Sequence, residues 1–344
     1  MWYDNVVLEP DYHFISSRVR IVRNLDNYVF PGKLDMTSSK ILVERVLSEL
    51  KDIGEVENTE FKAMFLNSIP DIERLILREK RVINSTLANK KMPTGMLISK
   101  DEDISLIING DDHIRFQIVS SGMKLDELWD RADKFDDYIN ERFNYAFDEK
   151  YGYMTSYPTN IGTGLKANIV LHLPLISTSN NFANLVSDLG RLGVSVKGVY
   201  GQGDENYGNF YDISNQKTLG QDERSLISQT ARVAMQLNSQ ETQLRKSILK
   251  NHRIRKMDEV YKAYGILSYA RRLTLKDALN YISALLQGVS DGLIKLNNSE
   301  KLFSLSILIQ PSNIMKISQG PLEKGEIDIL RADFIRQHLP KLIQ

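Results

Sequence analysis

Asn109-Gly110 stands between two short β-rich runs, residues 104–108 and 114–119. Asn-Gly between such runs is the strongest local sign that the chain reverses into an antiparallel strand, because both residues tolerate positive φ. The chain must therefore supply an antiparallel sheet and something to cover it. Further strands are expected over residues 15–21, 167–173 (closed by Pro174), 194–200 and 210–213. Apolar residues at helical spacing predict helices over 38–50, 72–87, 125–143 and 181–192. After Gly220 the pattern turns helical, with Leu226, Val233, Leu237, Leu244 and Ile248 on one face. The basic run 250–256 marks a boundary, Thr274 with Asp277 reads as a helix start, and 327–339 as a last helix. Residues 302–309 are expected as a strand before Pro311. The reading is an α+β domain over 13–248 followed by a helical domain over 249–344.

Charge narrows the function. Lys+Arg is 44 and Asp+Glu is 44, so the chain is no bulk nucleic-acid binder and any grip on phosphate needs a local cluster of cations. Absence of cysteine excludes a disulfide framework, a thiolate metal site and a thiol nucleophile. The five histidines are scattered and no metal-ligand spacing stands out. No run approaches the ~18 apolar residues of a membrane span, and the first residues lack the features of a signal peptide, so a cytoplasmic protein is expected.

Four segments could bear chemistry. In Ser16-Ser17-Arg18-Val19-Arg20, a strand would project Arg18 and Arg20 from one face, two forks suited to a polyphosphate, with the serines able to donate and Arg23 close behind. A solvated strand face is the commoner account of such residues. Asn109-Gly110-Asp111-Asp112-His113-Ile114-Arg115 places acids at a hairpin tip, where one could act as a base or hold a cation; local turn bonding explains them equally well, and His113 and Arg115 could be surface groups. Tyr157 to Lys166, with Gly162 and Gly164, is a ligand loop or a plain connection, and matches neither a Walker loop nor a dinucleotide fingerprint. Lys197 to Asn209 holds four glycines, a mobile loop able to fold over a substrate or a hairpin without a task. His172, in an apolar strand, reads as a satisfied core group.

In this order the segments resemble the phosphagen (ATP:guanidino) kinase family, most of all its bacterial protein-arginine kinase branch. The resemblance covers Ser-Ser-Arg-Val-Arg, Asp-His-Ile-Arg, Pro-Thr-Asn-Ile-Gly-Thr-Gly and the run from Gly208 to Gly220, and continues more weakly through Tyr264-Gly265-Ile266-Leu267. It implies a glutamine-synthetase-like antiparallel sheet flanked by helices, then a helical domain that dimerises and binds phosphoarginine. It implies transfer of the γ-phosphoryl of ATP, with Mg2+, to arginine side chains in proteins, marking them for a Clp-type protease.

Carried over by position, the resemblance assigns Arg18, Arg20 and Arg115 to the phosphates, with Ser16, Ser17, Val19 and Arg81, the strand Lys166, Ala167, Asn168, Ile169 and Val170, and the stretch Lys197, Gly198, Val199, Tyr200, Gly201 and Gln202 around the nucleotide. Asp111 falls on the catalytic carboxylate, Tyr157 on a substrate-site cysteine and Gln202 on a second glutamate, with Glu205 able to rotate in. Asp328 and Arg331 remain of a phosphoarginine motif whose first arginine is Ile327. Gly110 replaces a further glutamate, and Lys166 and Lys197 replace arginines, keeping charge but losing the fork. The losses fall on the guanidinium side. The expectation is a slow phosphotransferase; the alternative is a pseudokinase that binds nucleotide and arginine- or phosphoarginine-bearing partners.

Overall fold

The computed structural model describes residues 1–201, 205–318, 322–323 and 325–343. In chain order the elements are β1 (Phe14–Arg23), α1 (Met36–Glu49), β2 (Phe61–Phe65), α2 (Asp71–Glu79), α3 (Ser85–Ala88), β3 (Gly95–Ser99), β4 (Ile104–Ile108), β5 (Ile114–Ser121) and α4 (Leu125–Asn140). Then come the short pair β6 (Phe147–Asp148) and β7 (Gly152–Tyr153), β8 (Leu165–His172), α5 (Phe182–Arg191), β9 (Val194–Gly198) and β10 (Phe210–Asn215). The helices α6 (Glu223–Tyr269), α7 (Leu275–Ser290), α8 (Leu302–Leu308), α9 (Pro311–Ile317) and α10 (Glu326–His338) complete the chain.

Eight strands form one antiparallel sheet in the order β2-β3-β4-β5-β1-β8-β10-β9. β1 is central: Arg18 lies opposite Val119 and Asn168, and Arg20 opposite Gln117 and Lys166. Side chains alternate across a sheet, so register alone sorts its two faces. Val19, Ile21, Phe116, Ile118, Ala167, Ile169 and Ile213 share one face, each at most 2% exposed, and pack against α1, α4 and α6. Arg18, Arg20, Arg115, Gln117, Lys166, Asn168 and Asp212 share the other. A second apolar cluster joins α7, α8 and α10 to Val170 and Phe210 at one flank of the sheet.

Two expectations of local structure change. The strand expected over 302–309 is instead the helix α8 (Leu302–Leu308), and Leu302 to Ile307 are all buried; a short apolar run sealed on every side carries no period that separates helix from strand. The helix predicted over 72–87 breaks into α2 and α3, because Arg81 adopts φ 63° and Asn84 then caps α3, its Oδ1 accepting from the Leu87 N–H at 2.8 Å. The basic run 250–256 lies inside α6, which bends at His252 (φ −137°, ψ 30°). The Thr274 cap forms as expected, with Oγ1 accepting from the Asp277 N–H at 3.1 Å. Among the described residues no helix is long and apolar enough to cross a membrane.

Candidate functional site

The polar face of the sheet gathers cations with few partners. The Nε atoms of Arg18, Arg20 and Arg115, and Nη1 of Arg115, are buried without a hydrogen bond. Burial, then repulsion from Arg81, holds Arg18 well below the usual guanidinium range, with Arg115 and Arg20 adding and Asp212 opposing. Burial, then Arg20, lowers Arg115 to about 9, against the pull of Asp111. Burial lowers Arg20, opposed by Asp112, Asp212 and Asp111. Burial, then Arg20, lowers Lys166 to about 8. Mutually repelling, desolvated cations are unfavourable unless an anion completes them. Asp212, absent from the sequence reading, offsets the repulsion at Arg18, Arg20 and Lys166: it pairs with Arg81 and accepts from Asn168 Nδ2 at 2.7 Å. Its signal lay in the strand alternation of Asp212 and Ser214 in β10.

The turn after β4 faces this cluster. Asn109 takes φ 58°, and its N–H donates to the His113 carbonyl at 2.8 Å, closing the five-residue loop 109–113. His113 and Asp112 are buried, not surface groups. The Leu25 N–H donates to His113 Nδ1 at 3.0 Å, so Nε2 keeps the proton and donates to the Val29 carbonyl at 3.0 Å. Burial drives this ring down to about 4, and it stays neutral. Asp112 Oδ1 accepts from Asn24 Nδ2 at 2.7 Å and from the Ser156 N–H at 2.6 Å. Asp111, half-buried, is steadied by Asn84 Nδ2 at 3.2 Å. Two cavities meet at Asp111, Thr86 and Tyr157: one of about 270 Å³ that also holds Arg20 and Arg115, and one of about 850 Å³ running past Phe30, Leu34 and Met92.

The other predicted residues divide. Val19, Ala167 and Ile169 point into the core, so only their backbone borders the polar face. Ser17 points the same way, its hydroxyl donating to the Gly122 carbonyl at 2.8 Å, which removes it as a phosphate donor; Ser16 shares the arginines' face. Arg23 also projects oppositely to Arg18 and Arg20 and pairs with Asp136 at 2.6 Å. Val170 is buried against the C-terminal helices. His172 is the satisfied core group expected, 2.7 Å from Ser283 Oγ. Lys197 and Gly198 are exposed at the end of edge strand β9, Lys197 opposite Asp212. Val199, Tyr200 and Gly201 line a separate cleft of about 620 Å³ with Arg78 and Arg81; Arg81 and Arg115 both repel Arg18. Gln202 lies outside the described residues. Glu205 is not brought to Asp111: it is exposed and bonded to Tyr207 and, at 3.2 Å, to Lys276. Arg331 is 1% exposed; Nε donates to the Ile309 carbonyl at 3.0 Å and Nη1 to the Leu273 carbonyl at 2.9 Å and to Asp328 at 2.5 Å. Nε is thus committed to backbone, and Nη1 to backbone and to the Asp328 carboxylate.

The chain is similar to known proteins along most of its length. The family model described as ATP:guanido phosphotransferase, C-terminal catalytic domain, matches residues 42–244, and the protein-arginine kinase McsB C-terminal domain matches 253–344. Curated relatives named protein-arginine kinase include one from Halothermothrix orenii, 35% identical over 94% of this chain and 92% of that one, and one from Clostridium kluyveri, 36% identical over 94% of each. Among solved structures, the duplicated taurocyamine kinase from Schistosoma mansoni with bound transition state analog components aligns with TM-score 0.60 at 22% identity over 69% of this chain. This chain spans 34% of that one. Lombricine kinase aligns with TM-score 0.59 at 17% identity over 71% of each chain. The structural likenesses establish a shared fold.

Proposed function

Because the chain belongs to the ATP:guanido phosphotransferase family, we propose that it transfers the γ-phosphoryl group of ATP to arginine side chains in proteins. The observation that supports this reading is the set of buried guanidinium nitrogens without partners on Arg18, Arg20 and Arg115; Arg20 and Arg115 line one cavity with the carboxylate of Asp111. A triphosphate is the anion such a set fits, and Lys166 adds a further charge. The nucleoside end then extends past Arg18 toward the cleft of Arg81, Val199 and Tyr200. Magnesium carried on the phosphates supplies further neutralisation.

In the transfer, the bond from the γ-phosphorus to the β–γ bridging oxygen breaks and a bond to a guanidinium nitrogen forms. ADP leaves, and the guanidinium proton passes to Asp111. Asn84 fixes that carboxylate, and the arginines hold the phosphates in line, so positioning and charge supply the rate. By the same family likeness, two copies would pair through the C-terminal helices, in the cytoplasm, and the marked proteins would pass to a Clp-type protease.

A second reading, a pseudokinase that binds nucleotide and arginine-bearing partners, draws on the replacements at Asp111, Tyr157 and Gln202. One experiment separates them: incubation with ATP, magnesium and an arginine-rich acceptor, followed by phosphorus NMR for acid-labile phosphate. Signal from the wild-type protein supports the transferase. Signal only from the double variant Asp111→Glu, Gln202→Glu favours the pseudokinase.

A further inference from the structure

The larger cavity at Asp111 is more than a guanidinium needs. Its volume is about 850 Å³, and its walls include the apolar side chains of Phe30, Pro31, Leu34 and Met92. A free guanidino metabolite reaching Asp111 would leave this surface wet. Resting on the transferase reading, we propose that this cavity is a specificity subsite that seats an apolar residue adjacent to the target arginine.

Three observations support a built subsite rather than an accidental hollow. Each wall is bonded to the same hairpin that holds Asp111. The Phe30 wall is tied by His113, whose Nε2 donates to the Val29 carbonyl at 3.0 Å and whose ring meets Phe30 edge-on at 6.2 Å. The Met92 wall is tied by Lys90, whose Nζ donates to the Asn109 and Gly110 carbonyls at 2.6 Å, and by Asn109 Nδ2, which donates to the Pro93 carbonyl at 2.7 Å. The Tyr157 wall is tied by Asp112 through the Ser156 N–H at 2.6 Å. The apolar surface is therefore held in fixed register with the carboxylate that meets the guanidinium. A preorganised pocket of this kind reads a neighbour without ordering itself on binding.

Charge sets the preference further. Lys33 and Lys90 stand on the cavity walls, so a second cation beside the target arginine is disfavoured. Consecutive Cα atoms lie 3.8 Å apart along a polypeptide, so the side chain of a residue flanking an inserted arginine is within reach of the same cavity.

The test uses the full chain with ATP and magnesium and three sets of short acceptor peptides, in which the residue before or after a single arginine is Leu, Gly or Lys. The expected ranking in kcat/KM is Leu over Gly over Lys at one of the two positions, with Leu ahead of Gly by about tenfold, as for partial burial of one leucine. Leu34→Ser, and separately Met92→Ser, should shrink the Leu-to-Gly ratio. The same peptides, fluorescently labelled, are ranked by dissociation constant in ADP and magnesium, which requires no turnover. A flat ranking at both positions in both measurements overturns the subsite, while phosphoarginine on every peptide leaves the transferase reading standing. A ranking in binding with no phosphoarginine on any peptide keeps the subsite and overturns the transferase.

Discussion

The carboxylate of Asp112 accepts the backbone N–H of Ser156 at 2.6 Å, and so joins the hairpin of Asp111 to the loop of Tyr157. The same oxygen accepts from Asn24 Nδ2 at 2.7 Å, and Asp112 is 2% exposed. Asp112→Ala strands these donors, and a buried group without its partner costs about 1–3 kcal/mol. The variant should lose stability of that order in urea unfolding, and its KM for an arginine acceptor should rise more than its kcat falls, because the Tyr157 loop is released. Asp112→Asn, which keeps an acceptor oxygen in place, should recover most of the stability. An unchanged unfolding midpoint for the alanine variant would show that the bridge is not structural.

Arg115 poses the opposite balance. Its Nε and Nη1 are buried without partners, and its neighbours include Arg20. Replacing a buried cation whose repulsion from Arg20 outweighs the pull of Asp111 by an apolar chain of similar length removes a desolvation cost. Arg115→Met should therefore raise the thermal midpoint of the nucleotide-free protein while weakening ATP binding by about tenfold to a hundredfold, the worth of a charge-assisted hydrogen bond. Calorimetry on both proteins reads the two quantities. A variant that is less stable and binds ATP normally would remove Arg115 from the phosphate site.

The alternation of Arg18 and Arg20 made their shared face legible from sequence, since a strand fixes it by geometry. The same rule separates Arg23, three residues further along and therefore on the opposite face, where Asp136 holds it. Ser17 is excluded likewise. What alternation cannot supply is register between strands: that Asp212 stands among these cations follows from β10 pairing with β8, a contact of distant segments. The break between α2 and α3 was invisible because it depends on Arg81 at positive φ, a conformation its residue type does not announce. The resemblance located Arg331 but not its burial, which comes from the packing of α10 on the carbonyls of Leu273 and Ile309.

Proton linkage offers a probe of the anion site. In the nucleotide-free protein Lys166 titrates at about 8 and Arg115 at about 9, both lowered first by burial and then by Arg20. A bound triphosphate favours their charged forms and moves both upward. At pH 7 both already carry their protons, so binding takes up almost none at these groups. As pH passes 8, and then 9, the free protein has lost protons that binding restores, so uptake grows. Folding obeys the same sign: above pH 8 the unfolded chain holds the Lys166 proton more tightly than the folded one, so nucleotide-free stability gains from this group as pH rises toward the ordinary lysine value. Titration calorimetry of ATP in buffers of different ionisation enthalpy measures the uptake directly. Zero uptake at pH 9 would mean that the phosphates rest elsewhere.

Arg331 is a brace between the last helices. Its guanidinium joins the Leu273 carbonyl ahead of α7, the Ile309 carbonyl after α8 and the Asp328 carboxylate on α10. Arg331→Ala leaves two carbonyls without this donor and strips Asp328 of its closest cation, since Arg272 stands 3.7 Å away and is largely exposed. Breaking a buried pair by removing one partner costs about 3–5 kcal/mol, so the variant should unfold at markedly lower urea concentration, by far-ultraviolet circular dichroism. Arg331→Lys should fall between, because one ammonium cannot span all three acceptors as the planar fork does. If Arg331 instead served chiefly to bind phosphoarginine, the alanine variant would keep its unfolding midpoint and lose only a ligand-induced shift; equal midpoints for Arg331→Ala and the wild type would overturn the brace.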